Sequence, residues 1–139
     1  MSDAVIVSTA RTPIGRAYRG AFNNTQGQSL AGHAISHAVE RAGIDPGEVD
    51  DVVIGCALQQ GSTGQNVGRQ AAVVAGLPVT VAGMSIDRQC ASGMMAIATA
   101  AKQVIHDRMP VVVGGGVDTI SLVQNAHLHL HRAQDPVAL

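Results

Sequence analysis

Cys90 is the side chain in this sequence best suited to covalent chemistry, and its surroundings favour the reactive thiolate. It lies in the segment Asp-Arg-Gln-Cys-Ala-Ser-Gly-Met, positions 87 to 94, where a short strand is expected to pass into a long helix. The first N–H groups of a helix have no internal partners, and the helix dipole adds partial positive charge there. Both stabilise a thiolate, which is the nucleophilic form of cysteine. The pattern therefore predicts a residue that can carry an acyl group.

The residues after Cys90 are small, which would leave room for a bulky substrate. Ala91, Ser92 and Gly93 place no large side chain beside the thiol, so a thioester could approach it. A backbone N–H at this position could also donate to a developing oxyanion. The alternative is an inert thiol, because free cysteines are among the most buried residue types. That alternative is favoured for Cys56, which lies inside an apolar run.

Metal binding and disulfide formation are not favoured by the cysteine and histidine spacing. The two cysteines form neither a C-x-x-C pair nor a disulfide framework. His127, His129 and His131 would share one face of an extended segment, an arrangement that suits metal ligands. No carboxylate or cysteine stands at a suitable spacing from them. The sequence therefore predicts no metal and favours a solvated tail.

Alternating strands and helices are expected to position Cys90. Apolar runs predict a buried strand at 4–8 and further strands at 52–58, 82–87 and 110–117. Ser29 is expected to cap a first helix that ends near Arg41 and Gly43, a second helix covers 65–75, and the third runs from Cys90 to His106. Such alternation is typical of a layered α-β-α domain, a largely parallel mixed sheet covered by helices.

Two apolar helix faces are expected to pack on this sheet. In the first helix they are Leu30, Ala34, Ala38 and Ala42, with Ala31, Ile35 and Val39 beside them. In the third helix they are Met94, Ile97, Ala98, Ala101, Val104 and Ile105. The domain is expected to span 1–121, because the last eighteen residues, 122–139, show no clear period and would form a tail or the start of an inserted loop region.

Composition indicates a globular protein and gives no sign of a nucleic-acid or membrane partner. The chain has 139 residues, of which 46% are apolar and 14% charged, so one domain with a real core is expected. The formal net charge is −1, and no basic run indicates a nucleic-acid surface. No apolar stretch approaches the length of a membrane span, and the N-terminus lacks a signal-peptide pattern. The expectation is a cytoplasmic location.

Four blocks, in order, resemble the thiolase family. The first is Ile-Val-Ser-Thr-Ala-Arg-Thr-Pro-Ile-Gly at 6–15, and the second is Gly-Gln-Asn-Val-Gly-Arg-Gln-Ala-Ala at 64–72, followed by Ala-Gly-Leu-Pro at 75–78. The third, Arg-Gln-Cys-Ala-Ser-Gly at 88–93, resembles the thiolase nucleophile motif. The fourth, Val-Gly-Gly-Gly-Val-Asp-Thr-Ile-Ser at 113–121, resembles the glycine-rich strand that follows the nucleophile helix.

This resemblance implies acyl transfer between coenzyme A thioesters, with Cys90 as the nucleophile and Ser92 and Gly93 supporting it. The reaction would form or thiolytically cleave 3-ketoacyl-CoA and needs no bound cofactor or metal. Gln65 and Asn66 would either help to shape the site of a neighbouring chain or simply end a loop. The implied partners are acyl-CoA substrates, further copies of the chain, and a C-terminal half that is missing here.

The chain also departs from the family pattern. The family's later motifs, Gly-His-Pro and Cys-x-Gly-Gly-Gly, are not matched, nor is its inserted coenzyme A-binding region. Asp87 stands where asparagine is common, and Asp118 where glutamate is usual. Val67 and Gly68 replace a common Pro-Ala pair, which is expected to loosen that loop.

Two other interpretations remain open. The chain could be a non-catalytic fragment, or an assembly module of a split thiolase, that turns nothing over alone. It could also belong to another condensing enzyme of the thiolase superfamily, such as a ketoacyl synthase, although the segment at 88–93 and the opening block favour thiolase. Faces that would meet a second half should be apolar, so self-association is expected.

Overall fold

The computed structural model describes residues 3–125, which form a three-stranded parallel sheet between helical layers. The strands are β1 (Asp51–Gly55), β2 (Ala82–Ile86) and β3 (Val112–Gly116), in the order β2-β1-β3. The helices are α1 (Gly27–Ala42), α2 (Val67–Val74), α3 (Ser92–Lys102) and α4 (Ile120–Val123). Short 3₁₀ turns cover Pro46–Glu48 and Gly61–Thr63, and a π-helical turn covers Gln103–Asp107. The predicted α/β class is confirmed.

β1 is the central strand, and its neighbours run in register with it on both sides. Asp51 pairs with Ala82 and Val112, and Gly55 pairs with Ile86 and Gly116. All five residues of β1 are buried, as expected for a parallel strand covered on both faces. Because the three strands end together, the segments that follow them start at one edge of the sheet.

The two faces of the sheet carry different helices. Val52 and Ile54 lie in the main apolar core, which also contains Ala31, Ile35 and Val39 of α1 and Val67, Ala71 and Ala72 of α2. Alternation along β1 turns Val53 and Gly55 to the opposite face. There α3 packs, since a Cβ on Gly55 would come within 2.5 Å of Gly93 N and would overlap the carbonyl group of Ser92.

The apolar stripe predicted for α3 faces the wrong way. Met94 is 77% exposed and Ile97 is 48% exposed. The residues that α3 buries are mostly small: Ser92, Ala96 and Ala100. The reason lies in β3, where a Cβ on Gly114 would come within 3.0 Å of the Ala100 side chain. The glycine strand lets a face of small residues approach closely, and the bulky face is turned away from the sheet.

The strand predicted at 4–8 is also wrong. That segment has no regular structure, and Val5, Ile6 and Val7 are 74–78% exposed. No strand among residues 3–125 pairs with this segment, so its apolar side chains lack the neighbours that would bury them. Directly after the segment, Arg41 of α1 donates from a guanidinium nitrogen to Thr9 O at 3.0 Å.

Several element ends differ from the prediction by a few residues. α1 begins at Gly27 after Gln26, so Ser29 lies inside the helix and does not cap it, whereas Gly43 ends it in a left-handed conformation as expected. β1 ends at Gly55, which leaves Cys56 just beyond the strand. α4 crosses position 121, where the sequence indicated the end of the domain, and that boundary stays a prediction.

The contact between α3 and β1 generates a stability prediction. Replacing Gly55 by Ala should lower the free energy of unfolding by about 3 kcal/mol, because the new methyl group overlaps backbone that cannot rotate away. Gly115→Ala, also in a strand, is the matched control, since the nearest atom to its Cβ is Ile54 Cδ1 at 3.6 Å. Urea unfolding followed by circular dichroism would measure both. Equal stability of the two variants would contradict the packing described here.

Candidate active site

Cys90 lies in the five-residue turn that joins β2 to α3, at the carboxyl edge of the sheet. β2 ends at Ile86 and α3 begins at Ser92. The sequence predicted that the helix starts at Cys90, whereas in the structure the nucleophile candidate precedes the helix. Ala91 occupies the N-cap position, and Cys90 is exposed. An exposed thiol beside a helix N-terminus is accessible to a substrate, which the proposed chemistry requires.

Ser92 holds the turn in place. Its hydroxyl accepts from Arg88 N at 2.8 Å and donates to Gln89 O at 2.6 Å, and the residue is 2% exposed. Asp87 adds a third bond, since its Oδ1 accepts from Gln89 N at 2.7 Å. An asparagine, the residue common in thiolases at this place, could make that bond with its own carbonyl oxygen. Ser92 therefore braces the turn that carries Cys90.

The backbone immediately before Cys90 is strained. Gln89 has φ 50°, in the left-handed region that a side chain with a Cβ seldom adopts. The hydrogen bonds to its N–H and its carbonyl oxygen hold it there. A sharp turn of this kind lifts the next residue clear of the strand, which accounts for the exposure of Cys90.

Gly93 lies in direct contact with the end of the sheet. A Cβ on Gly116 would come within 3.0 Å of Gly93 Cα, so the first turn of α3 rests directly on the last residue of β3. Together with Gly55, these glycines fix the distance between the helix start and the strand ends. This backbone packing thereby positions the turn that carries Cys90.

Asp118 organises the ends of β1 and β3, a role that the sequence did not reveal. Its Oδ1 accepts from Ala57 N at 3.0 Å and Leu58 N at 3.2 Å, and Cys56 Sγ lies 3.5 Å from the same oxygen. Cys56 is fully buried, and burial followed by the charge of Asp118 raises the pKa of its thiol to about 11. These features make Cys56 the inert kind of cysteine.

Gln65 and Asn66 directly precede α2, and the Asn66 side chain makes hydrogen bonds within its own chain. Its Oδ1 accepts from Arg69 N at 3.1 Å and from Ser85 Oγ at 3.3 Å. Its Nδ2 donates to Gly83 O at 2.9 Å, so one side chain caps α2 and joins it to the strand. No hydrogen bond within residues 3–125 joins Gln65 or Asn66 to the turn that carries Cys90.

The loop that was expected to be loose is in fact closely packed. A Cβ on Gly68 would overlap the carbonyl group of Met84, so α2 begins in direct contact with β2. Ser85 Oγ accepts from Gly68 N at 3.0 Å, and Arg69 donates to Val79 O at 3.0 Å and to Val81 O. The glycine permits this contact, which an alanine at the same place would not.

Residues 3–125 contain no group of three or more histidine, cysteine or carboxylate side chains that could hold a metal ion. No helix among them is long and apolar enough to cross a bilayer. His127, His129 and His131 lie outside the described residues, so the hypothesis about that segment stays untested.

The fold and the turn define the class of protein to which this chain belongs. The family model described as "Thiolase, N-terminal domain" matches residues 4–136. The chain therefore belongs to the thiolase family, as the resemblance of its four sequence blocks indicated, and it corresponds to the N-terminal domain.

Particular relatives agree with this family. A 3-ketoacyl-CoA thiolase of Bacillus subtilis is 37% identical over 123 residues, 88% of this chain and 32% of the relative. An acetyl-CoA acetyltransferase of Rhizobium meliloti is 42% identical over 125 residues, 89% of this chain and 31% of the relative. The crystal structure of the Bacillus anthracis acetyl-CoA acetyltransferase superposes with a TM-score of 0.83 at 40% identity, covering 97% of this chain and 34% of that one. The chain thus spans about a third of these proteins.

The buried thiol of Cys56 predicts a pH dependence of stability. Its pKa is about 11 in the folded chain against 9.0 for the ordinary thiol, so the folded state holds the proton more tightly. The protonated thiol therefore makes its full contribution to stability below pH 9. As pH rises through 11, the free energy of unfolding should fall by about 2–3 kcal/mol. Urea unfolding between pH 8 and 11 would measure this loss, and Cys56→Ala should remove it. An identical slope in the variant would contradict the assignment.

Proposed function

We propose that Cys90 is the acyl-accepting nucleophile of a thiolase-type acyltransferase, which moves acyl groups between coenzyme A thioesters. The observation that carries this proposal is the exposed Cys90 in a strained, hydrogen-bonded turn directly before α3. The proposal is further supported by membership of the thiolase family and by relatives named as acetyl-CoA acetyltransferases. Its substrates would be acyl-CoA thioesters, and it would need no bound metal.

In the first step, the Cys90 thiolate attacks the carbonyl carbon of an acyl-CoA. A new carbon–sulfur bond forms, the carbon–sulfur bond to coenzyme A breaks, and the coenzyme A thiolate leaves and takes up a proton. The tetrahedral intermediate carries a negative oxygen, which backbone N–H groups at the start of α3 are suited to stabilise. The product is an acyl group held on Cys90 as a thioester.

The second step needs groups beyond those that touch Cys90 here. Carbon–carbon bond formation requires a base that removes a proton from a second acetyl-CoA, and thiolysis requires one that activates a coenzyme A thiol. No hydrogen bond within residues 3–125 joins a histidine or carboxylate to the Cys90 thiol, and His33 and His37 contact each other edge to face in α1, with ring centroids 4.5 Å apart. We propose that the remaining part of a thiolase supplies this base, and that Gln65 and Asn66 lie near a neighbouring subunit.

A second candidate function is a non-catalytic half that assembles with other polypeptide. An exposed apolar face on α3 and the π-helical turn after it favours this candidate, because such a face is suited to bury against another layer; it includes Met94, Ile97 and Ile105. This candidate differs from the first in its chemistry, since it predicts no covalent acyl group on Cys90. Acylation of the chain therefore separates the two.

Acetylation by acetyl-CoA tests the first step. The purified chain should gain the mass of one acetyl group, located at Cys90 by peptide mass spectrometry. The rate should be roughly 10²–10⁴ lower than at a site that has a positioned base. Cys90→Ser should form no thioester, whereas Cys56→Ala, which removes only the buried thiol, should still do so.

Alkylation by iodoacetamide provides the control for accessibility. Between pH 7 and 9 the reagent should modify Cys90 and leave Cys56 intact, because Cys56 is buried and its thiol stays protonated at those pH values. Ready alkylation of Cys90 with no acetylation, over hours at millimolar acetyl-CoA, would count against the proposed step and favour the non-catalytic half. Preferential alkylation of Cys56 would contradict the geometry of the site itself.

A further inference from the structure

A pair of histidines on the outer face of α1 takes no part in the acyl transfer proposed above. His33 and His37 are four residues apart, about one helical turn, so both side chains leave the same face of the helix. The third histidine of the described residues, His106, lies far along the chain in the π-helical turn after α3. Two imidazoles at this helical spacing are a known arrangement of metal ligands. The pair is therefore a candidate site for a divalent metal ion.

The separation of the two rings matches that of two imidazoles bound to one ion. Their centroids are 4.5 Å apart, and the ring planes are inclined at 70°. A metal–nitrogen bond is about 2.0–2.1 Å long and the centroid lies about 1.15 Å beyond the nitrogen, so two imidazoles at a right angle around one ion have centroids roughly 4.5 Å apart. At the tetrahedral angle their separation would be roughly 5.2 Å. The observed distance therefore suits Cu²⁺ or Ni²⁺, which favour right-angled coordination, better than tetrahedral Zn²⁺.

Glu40 favours the form of His37 that a metal ion needs. Glu40 Oε2 lies 3.3 Å from His37 Nδ1. The carboxylate favours a proton on that nitrogen, which leaves the lone pair of the neutral ring on Nε2. Metal-binding histidines usually have such a partner on the second nitrogen, because it orients the ring and makes the first nitrogen more basic. Rotation about χ2 turns either ring with little movement of its centroid, so the two Nε2 atoms can converge on one ion.

The helix beneath the pair is held firmly, and the pair itself is open to solvent. Ile35 and Val39, on the opposite face of α1, are 3% and 6% exposed and belong to the main apolar core. His33 is exposed, and the side chain of His37 is 44% exposed. An ion can reach both rings from water, and its binding restricts side chains without reorganising the backbone. Such a prearranged site loses little entropy when it binds its ligand.

We propose that His33 and His37 bind one divalent copper or nickel ion through their Nε2 atoms, with Glu40 positioning the ring of His37. Two protein ligands are fewer than a closed structural site has, so water completes the coordination and the ion is exchangeable. Copper is the tighter-binding of the two metals in nitrogen sites, which makes Cu²⁺ the better probe. The site lies on the outer face of α1 and is independent of the chemistry of Cys90.

The test uses the full chain with competing ligands removed. Cys90→Ser removes the exposed thiol. Glutamine replaces the histidines outside the described residues, in the substitutions His127→Gln, His129→Gln and His131→Gln. Every variant below is made in this background, and circular dichroism of the metal-free proteins establishes that each one folds.

Paramagnetic broadening by Cu²⁺ locates the bound ion. At pH 7.5, less than one equivalent of Cu²⁺ should broaden the ring C–H signals of His33 and His37 and the amide signals of the helical turn between them. The ring signals of His106, a single exposed histidine, should stay sharp under the same conditions. Sharp signals from both α1 rings at one equivalent of Cu²⁺, or equal broadening of all three rings, would overturn the proposal.

Single substitutions then test whether the two rings act together. By calorimetric titration with Cu²⁺, His33→Gln and His37→Gln should each raise the Kd at least about tenfold, because a lone imidazole cannot chelate. His106→Gln is the matched control and should leave the Kd unchanged. An unchanged Kd in either α1 variant, or an equal loss in the control, would show that the ion is not held between His33 and His37.

The role of Glu40 is tested by comparing two replacements. Glu40→Ala should raise the Kd for Cu²⁺ by roughly 10–100-fold, the usual cost of losing the partner behind a metal-binding histidine. Glu40→Gln keeps an oxygen that can accept from His37 Nδ1 and should lose clearly less. Equal losses in the two variants would show that Glu40 acts through its charge alone, which would overturn the positioning role.

Discussion

The close contact between the start of α3 and the glycine ends of two strands is the constraint on which the site depends. At Gly55 and Gly116 the absence of a side chain lets helix backbone lie directly on strand backbone. That contact fixes where α3 begins relative to the sheet. Because only a short turn joins β2 to α3, the contact also fixes the position of Cys90 in that turn. Backbone packing is stiffer than side-chain packing, since no rotamer change can relieve it. The nucleophile candidate is therefore held by the least adjustable part of the domain.

The polar groups around this contact fix its details. Ser92 and Asp87 hold the strained Gln89, while Asp118 gathers the N–H groups that follow β1. Each carboxylate or hydroxyl accepts from backbone that would otherwise lack partners at a strand or helix end. The surroundings of Cys90 are thus organised mainly by side chain–backbone hydrogen bonds. The same arrangement keeps the second cysteine, Cys56, buried and protonated.

The fold class, the parallel sheet and the turn around Cys90 could be predicted because they depend on local pattern. Apolar runs located the three paired strands, and Gly43 located the end of α1. The inward face of α3 could not be predicted, because it depends on glycines in β3, which lie about twenty residues further along the chain. Periodicity alone favours the bulkier stripe, whereas the sheet accepts the smaller one.

The strand predicted at 4–8 was wrong for a different reason. Its sequence is typical of a strand, but a strand exists only when a neighbour pairs with it. The hydrogen bonds of Asp118 and Asn66 could not be predicted either, since the backbone groups that they bind come from distant segments or from turns whose conformation the sequence did not specify. Contacts of this kind become visible only in three dimensions.

The glycines of β3 have one more consequence, for the solubility of the chain. A sheet that ends in an open, regular strand can recruit strands from other molecules and begin to aggregate. β3 reads Val-Val-Gly-Gly-Gly, and a run of glycines has little intrinsic preference for extended pairing and offers no side chains for a foreign strand to pack against. The residues that allow α3 to approach the sheet therefore also make its open edge a poor template for aggregation.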